Sequence, residues 1–199
     1  MSKVLTNVVH SLQRNPKRKF VEVEIYYFSR WWQRQDKQMQ TVVQNLVKSG
    51  QLTFANGGWV VHDEASTFYS NIIDQMTLGI QFVRNTFGEC AEPKLSWQVD
   101  PFGASREVAN LYALMGFDGH IVNRGHNLHG EFLWNTSDYN SILTSVLHNH
   151  YSAPNGFDFE DGKLTVLKMI ASNKTLVVIL QVTISPIKTR LKRQKNLPS

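Results

Sequence analysis

The sequence predicts an α/β fold in which parallel strands alternate with helices. Apolar strand patterns and amphipathic helix patterns follow one another about four times along the chain. Such alternation is typical of parallel strands joined by right-handed crossovers. The chain lacks a Gly-rich phosphate-binding loop, which often marks the ligand crevice of an open sheet. A parallel β/α barrel, whole or partial, therefore fits the pattern better than an open sheet.

The first elements follow from the spacing of apolar side chains. Residues 4–14 form a predicted amphipathic helix. Residues 20–28 alternate between apolar and polar side chains at their start, which predicts a strand. Ser29 is then the expected N-cap of a helix that runs to about residue 48.

The remaining elements continue the alternation. We expect strands over residues 51–55, 95–99 and 119–122, and helices over residues 64–87 and 105–115. Residues 56–58 form a predicted turn and residues 59–61 an extended segment. Beyond Ile142 the pattern weakens, although residues 164–170 and 175–184 are compatible with strands.

Length and charge narrow the class of protein. The 199 residues suit one domain, and 42% of them are hydrophobic, so the chain can bury a substantial core. Eight basic residues follow Asp161, the last acidic one, so residues 1–162 carry 13 basic and 16 acidic groups, a net charge of −3. A basic terminal run is typical of a solvated end, and the acidic body argues against nucleic acid as a partner.

Membrane insertion, secretion and disulfide bonding find no support in the residues themselves. Residues 176–184 are apolar but too short to span a bilayer. Residues 1–19 lack the apolar core of a signal peptide. Cys90 is the single cysteine, which excludes an intrachain disulfide.

Asp100 is the first candidate for chemistry. It stands at the predicted carboxyl end of the strand over residues 95–99, where barrels and open α/β sheets place catalytic groups. Arg124 follows the next predicted strand, and its guanidinium could hold a substrate oxygen or orient the carboxylate. Asp-Pro is also a common turn starter, and the two charges could form an ion pair at the rim. The residues alone leave both interpretations open.

A second candidate cluster precedes the helix predicted over residues 64–87. His62, Asp63 and Glu64 combine an imidazole with two carboxylates. Asp63 fits the capping of that helix better than catalysis, because a carboxylate complements the positive end of the helix dipole. The role of Glu64 stays open.

Histidine pairs and tryptophans complete the set of candidates. His126 with His129, and His148 with His150, have spacings that metal ligands use. Zinc needs three or four ligands, and neither pair has an evident third ligand nearby, so we do not expect these pairs to bind metal. The five tryptophans lie near predicted strand ends or helix starts, where core packing is the default and sugar stacking the alternative.

Six motifs, in the same order and with similar gaps, resemble glycoside hydrolase family 38. They comprise residues 28–32, 54–60 with 63–65, 74–77, 97–103, 105–107 and 115–117. The likeness covers about residues 5–160. We therefore expect residues 1–160 to be part of that family's N-terminal catalytic domain and residues 161–199 to be a divergent basic tail.

The resemblance implies both a fold and a reaction. In the family, a seven-stranded β/α barrel, incomplete here, binds one zinc ion and cleaves terminal α-mannosides with retention of configuration. The aspartate matching Asp100 ligates zinc and attacks the anomeric carbon to give a covalent glycosyl-enzyme. Arg124 matches an arginine close to the nucleophile and the bound sugar. Tyr151 matches, across a gap, a tyrosine that contacts the sugar.

The sequence departs from the family pattern at several functional positions. It contains no His-x-Asp pair, which in the family supplies two zinc ligands, and it offers no match for the remaining histidine ligand or the acid/base aspartate. Ala104 replaces a histidine that is usual in the family. We therefore expect a truncated α-mannosidase domain that is weakly active or inactive alone. A non-catalytic glycan-binding or partner-binding remnant is the alternative.

The resemblance also sets the expected partners and location. Mannose-containing glycans are the expected partners, with no role for nucleic acid or a membrane. Family members reach the lysosome through the secretory pathway, so the lysosome is the expected location. Two N-glycosylation sequons begin at Asn135 and Asn173, although this tripeptide is common by chance.

Overall fold

Helices and short strands alternate along the chain. The computed structural model describes residues 2–100, 103–123 and 130–147. These residues divide into two compact units, the first ending at Trp97 and the second beginning at Gln98. Parallel strand pairs and intervening helices are present, which confirms the α/β class. The barrel stays a prediction. Among the described residues, no helix has the length and apolar character needed to cross a bilayer.

The first unit pairs two short strands and surrounds them with helices. Its elements are α1 Ser2–Arg14, β1 Phe20–Glu22, α2 Ile25–Trp32, α3 Lys37–Lys48, β2 Leu52–Phe54, α4 Tyr69–Phe87, the 3₁₀ turn Glu89–Ala91 and the start of β3 Leu95–Gln98. Strands β1 and β2 run parallel, with Glu22 opposite Phe54. Their carboxyl ends therefore lie at the same edge.

One apolar core joins the helices of this unit to β2. The apolar faces of α1, α2 and α3 each contribute, with Val9, Ile25 and Val43 fully buried. Phe28 packs edge-on against Phe54, with ring centroids 5.4 Å apart. Trp31 and Trp32 belong to the same core, which confirms core packing as the role of these two tryptophans.

The strand predicted over residues 20–28 is wrong beyond Glu22. Residues 25–32 form α2 instead, because Ile25, Phe28 and Trp32 recur at helical spacing and bury a single face. The first amide donors of α2 are satisfied from outside the helix: Ile25 N donates to Gly58 O at 3.1 Å and Tyr26 N to Trp59 O at 2.9 Å. The alternation seen in the sequence describes only the three residues of β1.

The predicted cap at Ser29 is also wrong. Ser29 lies inside α2, and its hydroxyl donates to Tyr26 O at 2.8 Å. The N-cap of the following helix is Asp36, whose Oδ1 accepts from Met39 N at 2.7 Å. One long predicted helix is therefore two helices, separated by a short connection.

Helix α4 begins later than predicted. Its N-cap position is Phe68, whose side chain provides no capping hydrogen bond. Asp63 instead accepts from Ala65 N at 2.7 Å within a local turn, so the prediction that Asp63 caps this helix is wrong. The helix itself is confirmed, and Ile72, Met76 and Val83 are buried at the helical spacing of one apolar face.

The second unit contains α5 Arg106–Leu114, β4 Gly119–Val122, β5 Glu131–Asn135 and β6 Ser141–Val146. This α5 confirms the helix predicted over residues 105–115, and Ser105 is its N-cap, whose hydroxyl accepts from Val108 N at 3.4 Å. Strand β6 pairs in parallel with β4 and antiparallel with β5. The β5–β6 hairpin was not predicted, and the strands expected over residues 164–170 and 175–184 lie outside the described residues.

Candidate functional site

Asp100 occupies the position that the sequence predicts for it, just beyond a strand. Strand β3 ends at Gln98, and Asp100 follows two residues later with an exposed side chain. Gly103 then adopts a positive φ of 90°, and Ser105 begins the cap of α5. A short strand, an exposed carboxylate and a helix therefore follow one another in this part of the chain.

The other predicted site residues lie outside the described part of the chain. Arg124, Tyr151 and the two histidine pairs fall within residues 124–129 and 148–199. Their placement relative to Asp100 stays a prediction.

The first unit has its own concentration of polar groups, at the carboxyl ends of β1 and β2. Glu22 ends β1, and its Oε1 accepts from Val23 N at 3.3 Å. Burial raises the pKa of Glu22 to about 7 from an ordinary value of 4.5, against the smaller lowering effect of two backbone hydrogen bonds. This carboxyl group can therefore hold a proton near neutral pH. It is a group that the sequence analysis did not single out.

The segment after β2, residues 55–62 (here the 55–62 loop), turns sharply against the end of β1. Ala55 N donates to Glu22 O at 2.9 Å. Asn56 then adopts a positive φ of 54°, a conformation that asparagine tolerates better than most residues, and Gly57 one of 77°. These angles confirm the predicted turn over residues 56–58.

Asn56 links this turn to the start of β3. Its backbone N donates to Leu95 O at 2.7 Å, and its Oδ1 accepts from Trp97 N at 3.3 Å. The side chain is fully buried, and its Nδ2 lacks a hydrogen-bond partner among the described residues. A buried amide donor without a hydrogen-bond partner destabilises the folded state by about 1–3 kcal/mol. A water molecule or a ligand oxygen at Nδ2 would therefore stabilise the loop.

Helix α4 fixes the rest of the 55–62 loop through Gln75. The backbone O of Gln75 accepts from Trp59 N at 2.9 Å, and its Oε1 accepts from Val60 N at 3.1 Å. Its Nε2 lies 3.4 Å from Nδ1 of His62. Glu24 holds the next residue, because its Oε1 accepts from Val61 N at 3.4 Å.

Gly79, one turn further along α4, permits this close contact. A Cβ at this position would lie 2.1 Å from Gly57 O and 2.5 Å from both Gly58 C and Trp59 N. All three are backbone atoms, so no side-chain rotation would relieve the overlap. The 55–62 loop therefore rests directly on the helix surface.

His62 is buried at the end of this loop. Burial lowers the pKa of its imidazole, and the nearby Asp63 carboxylate opposes the effect. The neutral form of the imidazole donates a hydrogen bond from one ring nitrogen and accepts one at the other. The sequence identified His62, Asp63 and Glu64 as a group, but not the contact between His62 and Gln75.

Trp59 packs among other aromatic side chains. Its ring centroid lies 5.8 Å from that of Tyr26 and 6.4 Å from that of Phe82, both in edge-on geometry. Trp59 is half-buried, and the Arg30 guanidinium lies 5.9 Å from the centroid of the Tyr26 ring. Packing therefore accounts for part of the Trp59 surface and leaves part exposed.

The described residues do not themselves assemble a metal centre. Within residues 2–100, 103–123 and 130–147, no three His, Cys, Asp or Glu side chains are close enough together to hold a metal ion. A zinc site needs at least three such protein ligands. The described residues therefore do not fit the zinc ion that the family resemblance implies.

Comparison with known proteins decides the family. The family described as "Glycosyl hydrolases family 38 N-terminal domain" matches residues 1–189. This chain belongs to glycoside hydrolase family 38. The family predicted from the six motifs is thus confirmed.

Several curated relatives are α-mannosidases. Lysosomal alpha-mannosidase of Mus musculus is 46% identical over an alignment of 165 residues, and the match covers 76% of this chain and 16% of that protein. The Homo sapiens protein of the same name is 44% identical over 165 residues, with the same shares. Alpha-mannosidase B of Dictyostelium discoideum is 36% identical across a match that covers 98% of this chain and 22% of that protein. The chain thus spans less than a quarter of the length of these relatives.

Solved structures of other proteins resemble the fold of this chain. An alpha-mannosidase from Enterococcus faecalis V583 has a TM-score of 0.66 at 15% identity, covering 85% of this chain and 20% of that one. A 4-alpha-glucanotransferase from Thermococcus litoralis has a TM-score of 0.57 at 13% identity, covering 75% of this chain and 26% of the other. At these identities the likeness concerns the fold alone.

Proposed function

We propose that this chain is the part of an α-mannosidase that carries the catalytic nucleophile, and that the nucleophile is Asp100. The reaction is the retaining hydrolysis of terminal α-mannosides. The observation that carries the proposal is an exposed carboxylate just beyond a strand, in a chain that belongs to family 38. The identity of 44–46% to lysosomal α-mannosidases supports it.

The chemistry needs two carboxyl groups. In a retaining glycosidase one carboxylate attacks the anomeric carbon and forms a glycosyl ester. A second group protonates the departing oxygen and then takes a proton from the attacking water. Asp100 is proposed for the first role only. Arg124 and Tyr151 are proposed to contact the bound sugar.

Zinc remains in the proposal as an expectation from the family, and no step is derived through it. When bound, zinc would favour the ionised form of a ligating carboxylate. The sequence contains no His-x-Asp pair, which in the family supplies two zinc ligands, so we predict that the purified chain binds zinc weakly. Isothermal titration with zinc chloride tests this prediction, and nanomolar affinity would contradict it.

An activated substrate tests Asp100 without the second carboxyl group. 5-Fluoro-α-mannosyl fluoride has a leaving group that needs little acid assistance, and its ring fluorine slows hydrolysis of the glycosyl ester. We expect the purified full chain, incubated with zinc, to gain one fluoromannosyl group on the tryptic peptide of residues 95–106, which contains Asp100.

The matched variants make the result specific. Asp100→Asn should abolish labelling, whereas Asp138→Asn, at another exposed aspartate of the second unit, should leave it unchanged. A label on another residue would overturn the assignment. Mannoside binding without a label, in calorimetry on the same chain, would favour the non-catalytic glycan-binding alternative.

We further propose a lysosomal location for the protein to which this chain corresponds. The names of several relatives place them there. Immunolocalisation of the full-length protein against a lysosomal marker tests this, and a cytosolic distribution would contradict it.

A further inference from the structure

Asn135 is an exposed residue at the start of a complete sequon. It is the last residue of β5, and Thr136 and Ser137 complete the Asn-x-Ser tripeptide. The sequence holds one other sequon, at Asn173, which lies outside the described residues. N-linked glycans are bulky and hydrophilic, so they require a surface position such as that of Asn135.

The turn that follows Asn135 (residues 136–140, here the 136–140 turn) places the sequon at the tip of the β5–β6 hairpin. Thr136 N donates to Asn140 O at 3.0 Å, which closes the turn. Arg106 Nε donates to Thr136 O at 2.7 Å and fixes the base of the turn against the start of α5. Asn135 therefore lies on a fixed part of the surface.

An open polar cleft of about 410 Å³ lies directly beside Asn135. Its lining residues are Arg106, Asn135, Ser137, Asp138, Tyr139, Asn140 and Ser141. The Tyr139 ring is 94% exposed and presents an apolar face of the kind that packs against sugar rings. A saccharide attached to Asn135 has space in this cleft and displaces no packed side chain.

We propose that Asn135 is an N-glycosylation site of this protein. In the transfer, Asn135 Nδ2 forms a bond to the anomeric carbon of an oligosaccharide linked to a lipid pyrophosphate. The bond from that carbon to the pyrophosphate oxygen breaks, the lipid pyrophosphate leaves, and Nδ2 loses one proton. The inference rests on the proposed lysosomal location, because proteins of this family are expected to reach the lysosome through the secretory pathway.

The turn geometry also sets the order of folding and modification. The Ser137 hydroxyl, which the sequon requires, accepts from Tyr139 N at 3.4 Å and from Asn140 N at 3.1 Å in the folded turn. The transferase must therefore act before these hydrogen bonds form. We expect glycosylation during synthesis and none when folded chain is added to microsomes.

Site occupancy can be measured on a single peptide. The full chain with Asn173→Gln is expressed behind a cleavable secretion leader in eukaryotic cells. The tryptic peptide of residues 125–163 then contains one sequon. We expect a gel shift that peptide N-glycosidase F removes, with conversion of Asn135 to aspartate in that peptide. Leader-cleaved chain with an unmodified Asn135 would overturn the proposal, whether or not the chain is secreted.

Variants within the hairpin separate the sequon from the fold. Ser137→Ala should remove the shift, and Ser137→Thr, which keeps the hydroxyl, should retain it. Asn140→Gln, in the same turn but outside the sequon, should retain it as well. A shift that persists in Ser137→Ala would overturn the assignment. Fluoromannosyl labelling of Asp100 is measured separately. If Asp100 is not labelled while Asn135 is fully glycosylated, the result counts against the proposed function alone.

Discussion

The 55–62 loop and the 136–140 turn are both short connections, but they are held in place by different hydrogen bonds. The loop depends on groups far away in the sequence: Trp59 N donates to Gln75 O, Val61 N to Glu24 Oε1 and Asn56 N to Leu95 O. The tip of the turn closes on itself through Ser137 and Asn140, and only its base is held from outside, by Arg106 and Asn110 of α5. Substitutions on other elements should therefore disturb the loop strongly, whereas substitutions at the tip of the turn should change stability little.

The largest effect is expected for Gly79→Ala. The new Cβ would lie 2.1 Å from Gly57 O, so either α4 or the 55–62 loop must move. We expect a loss of about 3 kcal/mol or more in the free energy of unfolding, because backbone overlap cannot be relieved by rotamer changes. Urea denaturation monitored by tryptophan fluorescence measures this loss.

Thr77→Ala is the matched control for Gly79→Ala. It places alanine at an exposed position of the same helix, and the free energy of unfolding should change by no more than about 0.5 kcal/mol. Equal effects of the two substitutions would show that the loop does not rest on Gly79 as described.

The next largest effect is expected for Glu22→Gln, and it depends on pH. The pKa of Glu22 in the folded chain is about 7, and its ordinary value is 4.5. Below pH 4.5 the folded and unfolded states are both protonated, so the group contributes no penalty. As the pH rises towards 7 the unfolded chain ionises first, which lowers the stability of the fold; above pH 7 the deficit is constant, at about 2–3 kcal/mol.

Glutamine removes this deficit because it cannot ionise. Glu22→Gln should therefore be more stable than the original chain at pH 8 and similar to it at pH 4.5. Thermal unfolding across this pH range checks the result. Glu107→Gln, at an exposed glutamate of α5, should not reproduce it. Stabilisation that does not vary with pH would contradict the role assigned to the Glu22 carboxyl.

A smaller effect is expected for Gln75→Ala. The substitution removes the acceptor for Val60 N and the contact with His62 but keeps the backbone bond to Trp59 N. We expect a loss of about 1–2 kcal/mol, and faster hydrogen exchange at the Val60 amide. Gln75→Glu keeps an oxygen for Val60 N and should recover part of the loss.

Asp74→Ala serves as the neighbouring control for Gln75. This residue is exposed on the same helix, and its replacement should leave the Val60 amide protected. Loss of protection in Asp74→Ala would mean that helix propensity, rather than the Gln75 side chain, holds the loop.

The sequence predicted those elements whose signals are local. Helix α5 was predicted over residues 105–115, where Gly116 ends it, and β4 was predicted over the same residues, 119–122, that form it. The end of β1 was predicted wrongly, because α2 obtains its first hydrogen bonds from Gly58 and Trp59, which are about thirty residues away. Long-range partners of this kind leave no local pattern.

The candidate site likewise contains residues that the local sequence predicts and residues whose roles depend on contacts far away in the sequence. The position of Asp100 follows from a strand and a turn that are both local, and the structure places it as expected. The contributions of Gln75 and Gly79 depend on how α4 packs on the 55–62 loop. Residues 74–77 were among the family motifs, but their spacing alone could not indicate what Gln75 contacts. The pKa of Glu22 likewise depends on burial by the folded unit.

The smallest effect is expected for Tyr139→Ala, and it tests the other side of the comparison. Tyr139 contributes its backbone N to Ser137 Oγ, and that bond survives the substitution. The side chain is 94% exposed, so truncation removes little packed surface, and the stability change should stay within about 0.5 kcal/mol in urea denaturation. A loss comparable with that of Gln75→Ala would mean that the turn depends on its side chains as much as the loop does. Because Tyr139 lies outside the sequon, the glycan at Asn135 should persist in this variant, so that its occupancy and the stability of the turn can be read independently.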